Sequence, residues 1–279
     1  MLCNLETVLK EAQKNKKAVG AFNVYSYETI AGVMEAAKKS KKNIIVSFGA
    51  SYLKNMSLDE VSFLVRRMAE KTSEKIVLHL DHCSDINTIK QAIDAGFTSV
   101  MYDGSALSFE ENVNNTKQIC LAAHEKNVSV EAELGSLALG NFSNETEIDH
   151  GEEYTNPDSA KQFVLETGVD ALAVSIGTVH GMYKGEPDIR VDILKKISKI
   201  VDIPLVLHGG SGTPEKTILE CIKNGIVKIN VNTEISQYTT NRIKTVFEIE
   251  PNVHLSKIGM LEKEAVTEIV CDFIKIFEK

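Results

Sequence analysis

No apolar run in the chain approaches the roughly 18 residues that a membrane-spanning helix needs, so a spanning segment is not expected. A basic block is also missing. Lys and Arg number 31 against 39 Asp and Glu, a net charge of -8, which argues against nucleic acid as a partner. The start, Met1-Leu-Cys-Asn-Leu-Glu6, lacks a basic segment followed by an apolar core, so no signal peptide is expected. The five cysteines are odd in number and scattered, and none forms a C-x-x-C pair. Free thiols in a reducing cytoplasm fit that pattern. No G-x-G-x-x-G opens a first helix, which disfavours a doubly wound dinucleotide-binding sheet. Linkers and low-complexity stretches are absent too, so one domain is expected over residues 1–279. What remains is 43% hydrophobic and 25% charged, an ordinary globular composition.

Short apolar, strand-like runs alternate with amphipathic helical runs. Residues 18–22, 43–47, 75–80, 99–103, 128–134, 171–176, 204–207 and 226–231 read as strands. Residues 27–40, 57–72, 85–95, 108–126, 157–167, 190–199, 214–224 and 234–249 read as helices. Ser26 is a candidate N-cap, and Ser57 followed by Glu60 has the capping-box pattern. Gly96 closes one helix, and Pro157 opens another at a favoured position. Eight strand–helix units predict a (β/α)8 TIM barrel, with residues 262–277 as an extra C-terminal helix. Residues 135–156 form a long polar connection of the kind that usually carries function.

The stretch Lys75-Ile-Val-Leu-His-Leu-Asp-His-Cys-Ser-Asp85 is an apolar strand ending in ionisable groups. Alternation puts His79 and Asp81 on one face, and His82 on the other unless the strand stops there. A stop at that point is expected, so that Asp81 and His82 lean together over the strand's end. Ser84 or Asp85 would cap the next helix. Glu133, His180, His208, Asn230 and Asn232 also fall at or just after the C-terminal ends of strands, where barrel enzymes place their sites. His82, His180 and His208 could therefore hold one metal ion. Three histidines with an open fourth position is a catalytic zinc arrangement. The competing reading is three hydrogen-bonded loop histidines. His79, His124, His150 and His254 lie inside a strand, on a helix or in connections, and are set aside.

His208-Gly-Gly-Ser-Gly212 precedes a helix, and so does Ile229-Asn-Val-Asn-Thr233. Small residues before a helix N-terminus let backbone N–H groups approach an anion. Loops after the seventh and eighth barrel strands form the recurrent phosphate site of such folds. Lys184, in Gly177-Thr-Val-His-Gly-Met-Tyr-Lys184, is either a solvated surface cation or a phosphate partner.

These segments resemble the class II, zinc-dependent fructose/tagatose-bisphosphate aldolases. The resemblance rests on Ala21-Phe-Asn-Val24, Leu80-Asp-His82, Val130-Glu-Ala-Glu-Leu-Gly135, Tyr154-Thr-Asn-Pro157, Ala173 to Tyr183, Pro204 to Gly212 and Val227 to Thr233. They keep the family's order to about residue 240. The resemblance implies a homodimer or homotetramer that uses Zn2+, with Na+ or K+ as a second ion, and acts on a small sugar phosphate. It implies that His82, His180 and His208 ligate the metal, with Glu133 as an alternate ligand or as support for one. Asp81 would exchange a proton with the oxygen of the cleaved aldehyde. Gly181, Lys184, Gly209, Gly210, Ser211, Asn230, Asn232 and Thr233 would hold the phosphate of dihydroxyacetone phosphate.

The chain departs from the family pattern twice. Relatives carry a mobile segment with an acid pair after Glu-Leu-Gly; here Asn141 and Phe142 stand in its place, and neither is a carboxylate. Glu145, Glu147, Glu152 and Glu153 are the substitutes within reach along the chain. Relatives also carry an Arg near the C-terminal helix for a second phosphate. No Arg follows Arg242 here, and Lys257 is the nearest candidate. The expectation is a ketose 1-phosphate or 1,6-bisphosphate aldolase. The alternatives are a weakly active relative that binds zinc and a sugar phosphate, and a zinc hydrolase with Asp81 as base.

Overall fold

The computed structural model of the chain describes residues 1–144 and 153–279. Its strands are β1 (Val19–Asn23), β2 (Ile44–Gly49), β3 (Ile76–Cys83), β4 (Ser99–Tyr102), β5 (Ser129–Leu134), β6 (Ala138–Leu139), β7 (Ala171–Val174), β8 (Val179–His180), β9 (Leu205–Leu207) and β10 (Ile226–Val231). All but β6 and β8 close into a parallel barrel in the order β1-β10-β9-β7-β5-β4-β3-β2. The short strands β6 and β8 pair with each other outside the ring.

Helices follow the barrel strands: α2 (Tyr27–Ser40), α3 (Leu58–Ala69), α4 (Ile86–Ala95), α5 (Phe109–His124), α6 (Pro157–Thr167), α7 (Val191–Ile197), α8 (Glu215–Lys223) and α9 (Thr233–Ile249). Their starts are set locally. Ser26, Ser57 and Ser108 each accept from the backbone N–H three residues on, and Thr29, Glu60 and Glu111 complete the capping boxes. Asp85 accepts from Thr88 N at 2.9 Å and is the cap of α4, one of the two residues expected for that role. Each such cap stabilises its helix by about 1 kcal/mol.

Two further helices close the ends. α1 (Leu5–Asn15), unforeseen in the strand–helix alternation, puts Leu5, Val8, Leu9 and Ala12 against Ala21, Ile45, Val77, Ala171 and Val206 of the barrel interior. It plugs the N-terminal mouth of the barrel. α10 (Leu255–Phe277) begins seven residues before the expected terminal helix and lies on α2. Gly32 permits that contact: a Cβ there would stand 2.7 Å from Val266 Cβ. Thr267 Oγ1 donates to Gly32 O at 3.1 Å across the same junction. Among the described residues no helix is long and apolar enough to cross a membrane.

Above the apolar plug the barrel interior turns polar. His79, Glu131 and Lys228 are fully buried, and Asp81, Glu133 and His208 are nearly so. Strand β3 departs from the sequence expectation: it does not stop at His82 but pairs with β4 as far as Cys83. The register shifts between Leu80 and Cys83, and His82 has a φ of 42°. That bulge, with a non-glycine residue in the left-handed region, turns His82 back towards the mouth of the barrel at a cost on the order of 1 kcal/mol.

Candidate active site

His82, His180 and His208 come from three separate strand ends, and one ring nitrogen from each lies within 4.8 Å of the other two. The ring centroids of His82 and His180 are 4.7 Å apart, and those of His82 and His208 are 4.6 Å apart. His82 Nε2 is 2.7 Å from His208 Nδ1. The far side of each of these two rings meets a carboxylate. His82 Nδ1 is 2.8 Å from Asp103 Oδ2, and His208 Nε2 is 2.9 Å from Glu131 Oε1. A carboxylate accepts, so the protons sit on those outer nitrogens, and bare lone pairs face inward. His180 Nε2 is buried with no hydrogen-bond partner among the described residues.

Inward lone pairs on neutral imidazoles are the donor set that Zn2+ takes. Burial, followed by the neighbouring His82, holds the His180 and His208 imidazoles below their ordinary range, which keeps them neutral. The three residues therefore fit the metal expected for them. Glu133, on β5, places Oε2 3.9 Å from His208 Nδ1, and it groups with His82 and Asp103 at ligand spacing.

Below the histidines lies a buried charge network. Lys228 Nζ donates to both oxygens of Glu131, at 2.8 and 2.7 Å. Burial alone would raise the Glu131 carboxyl; Lys228 and the His208 hydrogen bond instead bring it down to about 2. The ionised Glu131 in turn fixes the orientation of His208. His79 is also fully buried; its Nδ1 lies 2.8 Å from Ser99 Oγ, and burial pushes it down to about 3.

Asp81 sits beside the metal-type cluster with both oxygens engaged. Asn23 Nδ2 donates to Oδ2 at 2.9 Å, and Asn230 Nδ2 donates to Oδ1 at 3.0 Å. Burial works to raise this carboxyl, but its electrostatic neighbours, His82 and then Lys228 foremost, hold it well below the usual carboxylate range. Asp81 is thus presented as an ionised carboxylate with its position fixed from two strands.

The phosphate residues expected from the sequence divide in two. Gly181, Gly209, Ser211, Asn230, Asn232 and Thr233 line the cleft with Asp81 and the three histidines. Gly210 and Lys184 do not. Gly210 N donates to Asn230 O at 2.9 Å, which commits it to the backbone of β10, and Lys184 is exposed. Gly209 has a φ of +70°, and a Cβ there would meet Val179 O at 2.3 Å. That close approach brings the β9 loop against the loop carrying His180. Ser211 Oγ accepts from Glu234 N at 3.1 Å, so the first turn of α9 is joined to the glycine loop.

The connection after β5 is held to the same place. Ser136 and Glu153 form an antiparallel bridge, and Asn141 bridges to Met182. Gly140 N donates to His180 O at 2.8 Å. Ser143 and Asn144 then reach the cleft. Phe142 is 69% exposed, with a φ of 59°. Of the acids considered as proton carriers, Glu153 is exposed and its backbone is tied to Ser136. Glu145, Glu147 and Glu152, and also His150, lie outside the described residues. Lys257 is paired to Glu250 at 3.2 Å and is not among the residues lining the cleft.

Asp103, Glu131, Lys228 and Asn23 were not singled out as functional from the sequence. The signals available were the position of Asp103 at the end of its strand, the shared face of Glu131 and Glu133, and the presence of Asn23, Glu131 and Lys228 in the segments that carry the resemblance. Cys83, beside the site, is buried, and burial pushes its thiol up to about 11, as suits a packing residue.

A family model described as fructose-bisphosphate aldolase class-II matches residues 3–279. The sulfofructosephosphate aldolase of Alkalicoccus urumqiensis is 38% identical over 274 residues, covering 98% of this chain and 95% of that protein. The fructose-bisphosphate aldolase of Giardia intestinalis is 38% identical over 307 aligned residues, covering 99% of this chain and 93% of that protein. Among solved structures, the YdjI aldolase from Escherichia coli K12 aligns with a TM-score of 0.87 at 32% identity, covering 99% of this chain and 97% of that one.

Proposed function

Because the chain belongs to the class-II fructose-bisphosphate aldolase family, and is thereby an aldehyde-lyase, we propose that it is a zinc enzyme that reversibly cleaves a ketose 1,6-bisphosphate or related ketose 1-phosphate into dihydroxyacetone phosphate and an aldehyde. The observation that carries the reading is the convergence of His82, His180 and His208, with Asp103 and Glu131 holding the outer nitrogens of two of them. Bound there, Zn2+ would act as a Lewis acid on the substrate's ketone and adjacent hydroxyl.

The chain's own residues supply positioning and proton transfer. Gly209 and Ser211 from the β9 loop, Thr233 at the start of α9 and Gly181 after β8 would grip the phosphate end. That grip fixes the reacting carbons relative to Asp81. In the cleavage direction Asp81 takes the proton from the hydroxyl that becomes the aldehyde oxygen; in condensation it returns that proton. As a strongly acidic carboxylate it is a weak base, so the proton moves only as the carbon–carbon bond opens. Asn23 and Asn230 keep both carboxylate oxygens in register throughout.

Family membership is also the ground for proposing a cytoplasmic homodimer or homotetramer, one domain per chain, and Na+ or K+ as a second ion. The relatives named above carry the names of different sugar phosphates, so the aldehyde half is the open question. The deciding assay is a panel of ketose phosphates scored for release of dihydroxyacetone phosphate. Activity should be lost on chelation and restored by Zn2+; activity that survives full metal removal would end the proposal. One observation favours a second reading, a sugar-phosphate binder with poor turnover: Asn141 and Phe142 occupy the place of the family's acid pair. Solvent deuterium exchange into dihydroxyacetone phosphate separates the two, since the binder would show none at full metal occupancy.

A further inference from the structure

Three helices of the barrel are capped by the residue just before them: Ser26, Ser57 and Ser108 each close a capping box. α9 is capped differently. Asn232 stands in its cap position, and asparagine is among the residues best suited to that role. Its side chain makes no capping bond; Nδ2 donates instead to Tyr52 Oη at 2.9 Å. The cap comes from 23 positions earlier in the chain. Ser211 Oγ accepts from Glu234 N at 3.1 Å, and Glu234 Oε2 accepts from Gly212 N at 2.8 Å. This is a capping box split between two neighbouring barrel units, with Glu234 reaching the N–H beside Ser211 rather than that of Ser211 itself.

The split matters to the cleft, because Ser211 and Thr233 line it from the two sides of the box. An oxygen that accepts from Glu234 N keeps its own hydrogen to donate elsewhere. The rest of the β9 loop is braced separately. Thr213 Oγ1 donates to Gly209 O at 3.1 Å, and Gly210 N donates to Asn230 O at 2.9 Å. Glu234 is not among the residues lining the cleft. A cap needed only for the stability of α9 could be met by Asn232, with no second loop to order. Drawing it from the β9 loop fixes the distance between that loop and the helix N-terminus, the two elements that an anion would bridge.

We infer that Glu234 is a positioning residue for the phosphate end of the substrate. Through Gly212 and Ser211 it holds the β9 loop and the start of α9 at the spacing that grips the phosphate. The inference rests on the aldolase reading for the identity of that phosphate.

The test compares two variants of the full-length, zinc-loaded enzyme. Glu234→Gln keeps an acceptor within reach of Gly212 N and removes the charge; Glu234→Ala removes both. Binding of dihydroxyacetone phosphate and of dihydroxyacetone, its phosphate-free counterpart, is followed by ligand-observed NMR. Glu234→Ala should bind the phosphate ester about 10-fold more weakly and dihydroxyacetone as the wild type does, while Glu234→Gln should match the wild type with both. In turnover the loss in Glu234→Ala should fall in KM rather than kcat. Wild-type affinity in Glu234→Ala would overturn the inference. An equal loss in Glu234→Gln would also overturn it, by making the charge at the start of α9 the cause. So would a loss for dihydroxyacetone as large as that for its phosphate, which would mean general damage to the site. If Glu234→Ala does not fold, Glu234→Ser, too short to reach Gly212, carries the same expectation. A wild type that binds dihydroxyacetone phosphate but cleaves no ketose phosphate refutes the aldolase reading alone, and the binding comparison still decides the role of Glu234.

Discussion

His82 Nε2 and His208 Nδ1 stand 2.7 Å apart, with ring planes at 90°. With Asp103 and Glu131 holding the opposite nitrogens, two lone pairs face each other across that gap. At that distance the two inner nitrogens can share one proton, and a metal ion bound between the rings would displace it. His208→Ala should therefore release zinc. Metal content, measured by plasma mass spectrometry after dialysis, should fall from near one per chain to near none. The glycine loop after β9 should become more protease-sensitive at the same time. Stoichiometric metal in that variant would mean the ligand set has been misassigned.

Asp81 is separable from the metal. Its partners are Asn23 and Asn230, and neither is a candidate ligand. Asp81→Ala should cut carbon–carbon cleavage by about 10²- to 10⁴-fold, the range of general acid–base groups, while zinc stays near one per chain. Cleavage at the wild-type rate would remove Asp81 from the mechanism.

The barrel could be read in the chain because its period is local: each strand and the helix after it show their spacing within some thirty residues. α1 escaped that reading although Leu5, Val8, Leu9 and Ala12 have helical spacing. It precedes the first strand, and its apolar face has no purpose until a barrel mouth exists to receive it. The histidines were visible as strand-end residues, but their supports were not. Glu131 and Lys228 are 97 positions apart and meet only across the closed ring. His82 was expected beside Asp81 through a stop in the strand; the strand continues instead, and it is a bulge, which alternation cannot register, that turns His82. The proton carrier for carbon has a different obstacle: three of the four acids considered for it lie outside the described residues.

Lys228 and Glu131 are both fully buried, so each depends on the other for compensation. Lys228→Met leaves the carboxylate without its buried counter-charge, with only the His208 hydrogen bond, and should cost about 3–5 kcal/mol of stability, measured by urea unfolding. It should also weaken zinc binding by about 10- to 100-fold, because Glu131 would no longer be held against His208. The double variant Lys228→Met, Glu131→Leu should regain part of the stability and none of the metal affinity. If the single variant unfolds like the wild type, the pair is not a stabilising element.

His79 makes acid stability a test of the interior. Its folded value is about 3 against an ordinary 6.5, with burial the main cause. A histidine depressed in this way is neutral when folded and takes up a proton on unfolding. The unfolded state therefore binds more protons between pH 6.5 and 3. The associated stability is fully present above the unfolded value and is lost as pH falls through that window, by at most about 1.4 kcal/mol per pH unit. His79→Gln, which can still reach Ser99, has no such proton to take up. Unfolding free energies measured from pH 7 down to pH 4 should fall less steeply in the variant than in the wild type. Parallel curves would show that His79 is charged in the folded protein and that the polar layer beneath the histidines is wetter than its burial indicates.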